Sequence, residues 1–178
     1  HHVGVVQQDN FIFRGNIRDN IGLGDPRISD EQIRVACEKT GYMTLLKRTG
    51  RDLLSTVDER GANLSVGERQ LIAFARILAF NPDILILDEA TANIDSESEH
   101  IIQEATKEIT KGRTSIIIAH RLSTIEQCDR IVVLNQGEVA EVGSHDELMK
   151  AQGIYYQFAS AGLKSTLIDA SAAGTAVP

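Results

Sequence analysis

The sequence predicts an α/β fold in which a mostly parallel sheet is flanked by helices. Two aliphatic runs, 84–87 and 114–119, show no polar alternation, which is typical of strands buried inside a parallel sheet. Segments with helical periodicity lie before and between these runs, so strands and helices alternate along the chain. In such sheets, ligands bind beyond the carboxyl ends of the strands, and the residues there are the first candidates for a functional site.

The first half of the chain is predicted to contain one strand and two helical regions. Residues 3–6 are short and β-branched and indicate a buried strand, which a loop over 7–15 follows. Residues 29–47 have helical spacing, begin with a Ser-x-x-Gln capping box and are interrupted at Gly41. Residues 66–80 carry an apolar stripe at helical spacing and end at an Asn-Pro pair, which predicts a second helix.

The second half alternates strands and helices and ends in a tail of small residues. Ser-x-x-Glu pairs at Ser96 and Ser144 predict capping boxes, and an Asn-Gln-Gly segment at 135–137 predicts a hairpin turn. Residues 164–178 are rich in Ala, Ser, Thr and Gly, and we expect them to form a flexible tail. The predicted elements are strands over 84–87, 114–119, 130–134 and 138–142 and helices over about 96–110, 121–127 and 153–162, with one more helix after Ser144.

Composition narrows the possible functions. Of the 178 residues, 42% are hydrophobic and 24% are charged, which is typical of one globular domain with a sizeable core. The net charge of −7, the 4% aromatic content and the absence of Trp argue against a nucleic-acid partner. Cys37 and Cys128 lie far apart without CxxC spacing, which favours free thiols over a disulfide or a zinc site. The apolar runs are only a few residues long, whereas a membrane-spanning helix needs about 20.

A pair of carboxylates follows the aliphatic run 84–87. Asp88 and Glu89 stand where a buried strand reaches the carboxyl edge of the sheet, which is where phosphoryl transfer from a nucleotide needs acidic groups. An Asp there helps to hold Mg²⁺, usually through water, and an adjacent Glu polarises an attacking water. The alternative is that the two residues form an acidic turn that leads into the next helix.

Three weaker features accompany the carboxylates. Ser65 and Gly67 lie at a helix start, where free backbone N–H groups and the helix dipole favour an anion, although a plain capped helix also explains them. His120 follows the run 114–119 and is able to donate a hydrogen bond to a phosphate, whereas a structural role is the commoner alternative. Gln8 follows the first strand and suits Mg²⁺ or water, but surface Gln is common. None of these features decides the function by itself.

The order of these features resembles that of the ATPase domains of ABC transporters. Residues 5–9 (VVQQD) are similar to the Q-loop of the family, and residues 64–70 (LSVGERQ) are similar to its signature. Residues 87–89 (LDE) resemble the end of Walker B, residues 92–95 (ANID) resemble the D-loop, and His120 falls at the switch-histidine position. The resemblance implies ATP and Mg²⁺ as cofactors.

Two further segments resemble the exporter branch of this family. They are 119–124 (AHRLST) and 56–61 (TVDERG), the second of which is similar to the exporter X-loop. The resemblance covers about 3–162 and implies the nucleotide-binding domain of a half-transporter of the multidrug, lipid or peptide type. It also implies a P-loop NTPase-like, mostly parallel sheet with an inserted helical subdomain at about 15–80, within a domain over 3–163.

Four residues are implied to act on the ATP molecule bound by their own chain. Asp88 and Gln8 would bind Mg²⁺. Glu89 would polarise the attacking water, and His120 would hold both the γ-phosphate and Glu89.

The signature is implied to act on the ATP molecule of a second domain, packed head to tail against the first. Ser65 and Gly67 would face the γ-phosphate at a helix N-terminus, with Val66 and Glu68 beside them. Asp95 would form a bridge across this dimer.

Three residues depart from the family pattern. Val66 stands where Gly is frequent, Glu68 where Gln is frequent, and Gln7 where Pro is usual. The first two changes are mild, because Ser65 and Gly67 remain.

A larger departure is that no G-x-x-x-x-G-K-[ST] phosphate loop occurs in the sequence. We therefore expect the chain to be the C-terminal part of the domain, with the N-terminal part missing, and to be inactive alone. We also expect apolar surface to be exposed on the remaining sheet.

The implied partners are a second ATPase domain, in a homodimer or a heterodimer, and the coupling helices of a transmembrane domain. Phe11 and Phe13 are candidates to contact those helices, the alternative being that they pack under the helical subdomain. The implied location is the cytoplasmic face of the plasma (inner) membrane, as part of an integral membrane transporter. Two other classes stay open: an ABC ATPase that moves no solute, and a non-hydrolysing dimerisation or regulatory module.

Overall fold

The structure is a computed structural model, and its fold is α/β, as the sequence predicts. It falls into two compact units, His1–Ile118 and Ala119–Pro178, which are considered separately below. The residues that the structure describes are 2–7, 9–88, 96–119 and 121–161.

The elements of the described ranges follow the predicted order, with four short additions, one of which is a 3-10 helix at Glu59–Gly61. The strands are β1 (Val3–Val6), β2 (Gly15–Asn16), β3 (Thr56–Val57), β4 (Ile84–Asp88), β5 (Thr114–Ile118), β6 (Ile131–Asn135) and β7 (Glu138–Gly143). The helices are α1 (Ile17–Gly22), α2 (Asp30–Lys39), α3 (Tyr42–Arg48), α4 (Val66–Phe80), α5 (Ser96–Thr110), α6 (Leu122–Ile125), α7 (His145–Ala151) and α8 (Ile154–Ser160).

A parallel sheet in the order β1-β4-β5 forms the centre of the first unit. Val6 pairs with Leu87, and Leu87 pairs with Ile117, so the three strands reach their carboxyl ends together. The predicted parallel sheet is therefore confirmed, and it brings three chain segments to one edge.

One face of this sheet is buried and the other is exposed. Val6, Leu85 and Leu87 are at most 2% exposed and belong to the core of the first unit. On the opposite face, Val5 and Ile116 are 54% and 57% exposed. The prediction that β4 and β5 are buried on both faces is therefore wrong for this face, and β1 is buried on one face only, because an unbroken aliphatic run does not show what covers each side. Exposed apolar surface on the sheet is what the sequence led us to expect.

The helices of the first unit follow local capping signals. Ser29 and Gln32 form the predicted capping box of α2. Gly41 has a φ of 72°, a left-handed conformation that separates α2 from α3, so the predicted region 29–47 is two helices. Helix α4 spans the predicted 66–80, and its apolar side fills the core. Helix α5 begins at Ser96, and its N-cap lies outside the described residues.

The four short additions to the first unit are β2, β3, α1 and the 3-10 helix at Glu59–Gly61. Strands β2 and β3 pair antiparallel, with Gly15 beside Val57, and have two residues each. Helix α1 starts where Asn16 accepts a hydrogen bond from the Asp19 N–H at 2.8 Å. Such short segments carry too little periodicity for a prediction from pattern alone.

The second unit contains a hairpin and short helices. Gln136 and Gly137 both have positive φ, at 51° and 83°, and connect the antiparallel strands β6 and β7 as predicted. Ile131, Leu148 and Tyr155 form the buried core of this unit. The predicted capping box of Ser144 starts α7.

The remaining predictions concern the C-terminal tail, the domain bounds, membrane-spanning helices and the two cysteines. The tail 164–178 lies outside the described residues, and the bounds of the domain and its helical subdomain stay predictions. No helix in the described ranges has the length and apolar character of a membrane span. Neither Cys37 nor Cys128, both within those ranges, forms a disulfide, and burial raises the pKa of Cys37 to about 12.

Candidate functional site

The carboxyl edge of the sheet holds the first part of the candidate site. Asp88 is the last residue of β4, is half-buried and pairs through its backbone with Ile118 of β5. Four predicted site residues lie outside the described residues: Gln8, Glu89, Asp95 and His120. In the chain, Gln8 follows β1, Glu89 follows β4 and His120 follows β5, each within two residues of the strand end.

A cavity of about 740 Å³ connects Asp88 to other parts of the first unit. Its lining includes Gln7, Asp9 and Phe11 from the loop after β1. It also includes Val66 from the first turn of α4. The structure therefore brings to one cavity parts of the three segments that resemble the end of Walker B, the Q-loop and the signature.

The N-terminus of α4 is a capped helix start whose capping side chain is exposed. The Oγ of Ser65 accepts a hydrogen bond from the Glu68 N–H at 3.1 Å, and Glu68 Oε2 accepts one from the Ser65 N–H at 2.8 Å. The hydroxyl of Ser65 is an acceptor in this cap, so its own O–H is still able to donate. The N–H groups of Val66 and Gly67 have no partner within the helix, because the first turn has no preceding carbonyl groups. These donors suit a phosphate oxygen.

Val66 and Gly67 differ in their exposure to solvent. Val66 is 41% exposed, whereas Gly67 is buried. A Cβ atom at Gly67 would lie 3.1 Å from Ser98 Cβ and 3.6 Å from Ile102 Cδ1, so this glycine allows α4 and α5 to approach closely. The sequence suggested instead that Gly67 lets a backbone approach a phosphate, and its role toward a ligand stays a prediction.

Glu68 has a cationic partner that the sequence analysis missed. Its Oε1 accepts a hydrogen bond from Arg51 Nη1 at 3.1 Å. Arg51 Nη2 also donates to the Asn63 carbonyl oxygen at 3.0 Å. The two side chains are 30% and 11% exposed, for Arg51 and Glu68 respectively. Because the partners are 17 residues apart in the chain, no helical spacing signals this pair.

A second arginine fixes the backbone at and just before the start of the segment 64–70. Arg69 Nη1 donates to the Leu64 carbonyl oxygen at 2.6 Å and to that of Gly61 at 3.4 Å. Gly61 has a φ of 67°, and a Cβ atom there would lie 3.1 Å from Ile12 Cγ2. The position therefore needs glycine both for its conformation and for its close packing.

A third arginine, Arg76 of α4, holds the loop after β1. Its Nη1 donates to the Phe11 carbonyl oxygen at 2.8 Å, and its Nε donates to that of Asn20 at 2.6 Å. The Asn20 side chain accepts from the Phe13 N–H and donates to the Phe13 carbonyl oxygen, both at 2.8 Å. Burial lowers the pKa of Arg76 to about 10. Sequence analysis missed this network because its members are distant in the chain.

The two aromatic residues of that loop are presented to solvent. Phe11 and Phe13 are 62% and 52% exposed, and their rings meet edge to face with centroids 4.7 Å apart. The alternative that both pack under the helical subdomain is therefore wrong. The residue between them, Ile12, is 2% exposed and anchors the loop in the core.

The donors at this edge suit a hard cation and a phosphate. Within the described ranges, no group of three or more His, Cys, Asp and Glu side chains is arranged to hold a metal ion. Asp9 and Asp88 both line the cavity, and Asp88 is the one that ends a strand of the sheet. Mg²⁺ is commonly held by one or two carboxylates together with water and substrate phosphates, so a single Asp at this place fits that ion.

Comparison with known proteins also finds relatives among ABC transporters. A probable multidrug resistance ABC transporter ATP-binding/permease protein of Bacillus subtilis, YheH, is 51% identical over 156 residues, which cover 88% of this chain and 23% of that protein. The toxin RTX-III translocation ATP-binding protein of Actinobacillus pleuropneumoniae is 47% identical over 155 residues, covering 86% of this chain and 22% of that protein. The chain thus spans about a quarter of the length of these relatives.

A solved structure has the same fold. It is that of a bacterial Atm1-family ABC exporter with ATP bound, which matches with a TM-score of 0.79 and 36% identity over 94% of this chain and 29% of that chain. The resemblance to exporter nucleotide-binding domains that the sequence analysis found is confirmed. Residues 1–92, more than half of the 178, match the family described as ABC transporter, and the chain belongs to that family.

Proposed function

We propose that this chain is the catalytic part of the ATPase domain of an ABC exporter, and that it powers transmembrane transport by head-to-tail dimerisation. The observation that carries the proposal is the N-terminus of α4, where the exposed Ser65 hydroxyl and unpaired first-turn N–H groups form a ready donor set for a phosphate. The similarity to exporters and translocation proteins supports the same function.

The residues at the sheet edge act on the ATP of their own domain. Bound MgATP supplies the phosphoryl group and a cation that neutralises phosphate charge. Asp88, with Gln8, holds the metal ion. Glu89 accepts a proton from the attacking water, and His120 donates a hydrogen bond to the γ-phosphate and orients Glu89.

The signature acts on the ATP of the partner domain. The Ser65 hydroxyl donates a hydrogen bond to a γ-phosphate oxygen, and the N–H groups of Val66 and Gly67 add donors at the positive end of the α4 dipole. Glu68 supports this geometry through the capping box. Asp95 bridges the two domains. A dimer of two such domains, identical or different, therefore encloses two ATP molecules.

The exposed aromatic pair is the proposed contact with a transmembrane domain. Phe11 and Phe13 follow the Q-loop segment and are connected to α4 through Arg76. Movement of α4 on ATP binding is therefore transmitted to this pair. We place the complete protein in the plasma (inner) membrane, with this domain on the cytoplasmic face.

Replacing the proposed general base tests this function. In the complete protein, Glu89→Gln is expected to lower ATP hydrolysis by at least about a hundredfold, because the amide cannot accept a proton from water. ATP-dependent dimerisation is expected to persist, since the phosphate contacts remain. The measurements are phosphate release and dimer formation with MgATP.

Glu104→Gln is the matched control for this variant, because Glu104 is an exposed acid paired with Lys107 on α5. It is expected to hydrolyse ATP at the normal rate. Normal turnover in Glu89→Gln would contradict the general-base role, and loss of dimerisation in that variant would contradict the trans arrangement.

A further inference from the structure

Glu68 places a negative charge in the first turn of the helix that is proposed to receive a phosphate. Its side chain is only 11% exposed, so water screens the carboxylate weakly. An unpaired carboxylate at this place would oppose the favourable effect of the helix dipole on a phosphate.

The cap does not require this charge. A capping box accepts either Glu or Gln at its fourth position, because the Gln amide oxygen also accepts the hydrogen bond of the N-cap N–H. In the present chain that bond joins the Ser65 N–H to Glu68 Oε2 at 2.8 Å. The carboxylate therefore adds a charge to the helix start that the capping box itself does not require.

Arg51 is placed to cancel that charge. It comes from the turn after α3 and donates from Nη1 to Glu68 Oε1 at 3.1 Å, the oxygen that the cap does not use. From Nη2 it donates to the Asn63 carbonyl oxygen, two residues before Ser65. The side chain of Asn63 in turn accepts from the Asp58 N–H and donates to the Thr56 carbonyl oxygen, both at 2.9 Å.

We propose that Arg51 is a positioning residue of the signature, which neutralises the charge of Glu68 so that the N-terminus of α4 accepts a phosphate of ATP. This inference rests on the proposed function. Arg51 does not itself contact the nucleotide in this arrangement. It acts through Glu68, and its loss is therefore compensated when Glu68 loses its charge.

The test compares four forms of the complete exporter: wild type, Arg51→Gln, Glu68→Gln and the double variant. The measured quantity is the concentration of a non-hydrolysable MgATP analogue that gives half-maximal closure of the two ATPase domains, followed by fluorescence energy transfer between labels on them. Arg51→Gln is expected to raise this concentration about fivefold, the effect of one partly exposed ion pair. The double variant is expected to lie within about twofold of Glu68→Gln.

Raising the ionic strength separates a charge effect from a packing effect. At about 1 M salt the difference between Arg51→Gln and wild type is expected to shrink, because the Debye length falls to about 3 Å. Should Arg51→Gln fail to fold, Arg51→Lys keeps the inference testable, because it preserves the positive charge and changes the shape of the side chain. Lysine keeps the charge and is expected to remain within about twofold of wild type.

Each other result overturns the inference. Unchanged closure in Arg51→Gln removes any role for Arg51. A loss that Glu68→Gln does not compensate, or a loss in Arg51→Lys as large as that expected for Arg51→Gln, shows that the residue acts through packing alone. Ser65→Ala distinguishes these results from a failure of the proposed function: if closure is unchanged in that variant, the signature itself does not bind the nucleotide.

Discussion

Gly67 has a packing role between helices in addition to the ligand-binding role that is proposed for it. Its missing side chain faces Ser98 of α5, and a Cβ atom would already lie 3.1 Å from that residue's Cβ. The neighbouring Val66 is exposed, so the two positions differ in what a substitution would meet. The sequence pattern gives glycine and valine here but does not indicate which of them lies against another helix.

We predict that Gly67→Val destabilises the chain, because its γ-methyl groups would overlap Ser98 and Ile102 across the α4–α5 contact. The expected loss is about 1–3 kcal/mol in the free energy of unfolding, typical of an overpacked core position. Urea denaturation without nucleotide measures it. Val66→Ala, at the exposed neighbour, is the control and is expected to change this free energy by at most about 0.5 kcal/mol. Equal stabilities for the two variants would show that the glycine position tolerates a side chain.

Helix and strand positions could be predicted where local signals are strong. The capping boxes of Ser29 and Ser144 and the αL residue Gly41 were readable because their chemistry acts within a few residues. The short elements β2, β3 and α1 were not predictable. Strands of two residues, such as β2 and β3, have no measurable period. The burial of each strand face was also misjudged, because burial depends on partners that are distant in sequence.

The loop after β1 depends on an equally distant partner, Arg76 of α4. We predict that Arg76→Gln releases this loop, because it removes the donor to the Phe11 carbonyl oxygen and leaves the buried Asn20 oxygens with fewer partners. The expected loss of stability is about 1.5–3 kcal/mol, the range for hydrogen bonds from a charged donor. Hydrogen exchange at the Phe13 amide is expected to become faster, and mass spectrometry of the loop peptide measures it.

Arg34→Gln is the matched control for Arg76→Gln. Arg34 is also a helical arginine, but its partners Glu31 and Glu38 form ion pairs on an exposed face of α2. Such pairs contribute little, so neither stability nor exchange at Phe13 is expected to change. If Arg76→Gln behaves like this control, the network does not determine the position of the loop.

At the scale of the whole molecule, the sequence indicated candidate positions at a strand end and a helix start, but it did not indicate the long-range hydrogen bonds around them. Asp88 and the start of α4 were found from their positions at a strand end and a helix start, and the structure places both at one cavity. The pairs Arg51–Glu68 and Arg76–Asn20 join residues 17 and 56 positions apart, and no periodic pattern records such contacts. The sequence pattern therefore predicts which side chains are candidates for a functional site. The three-dimensional fold is needed to identify the residues that position them.

The proposed division of the site between two ATPase domains leads to a prediction about the 178-residue chain. Asp88 offers a carboxylate, and the signature is proposed to bind the nucleotide of a partner domain. Phosphate binding within one domain therefore needs a loop of the G-x-x-x-x-G-K-[ST] type. This sequence does not contain that motif. We predict that the 178-residue chain neither binds MgATP measurably in a calorimetric titration nor hydrolyses it. The complete protein is expected to bind it clearly under the same conditions, and a thermal unfolding scan is the control for whether the shorter chain is folded. Tight binding by the 178-residue chain would mean that other groups hold the phosphates, and the cavity beside Asp88, with Arg60 and Arg69 in its lining, would then be the place to find them.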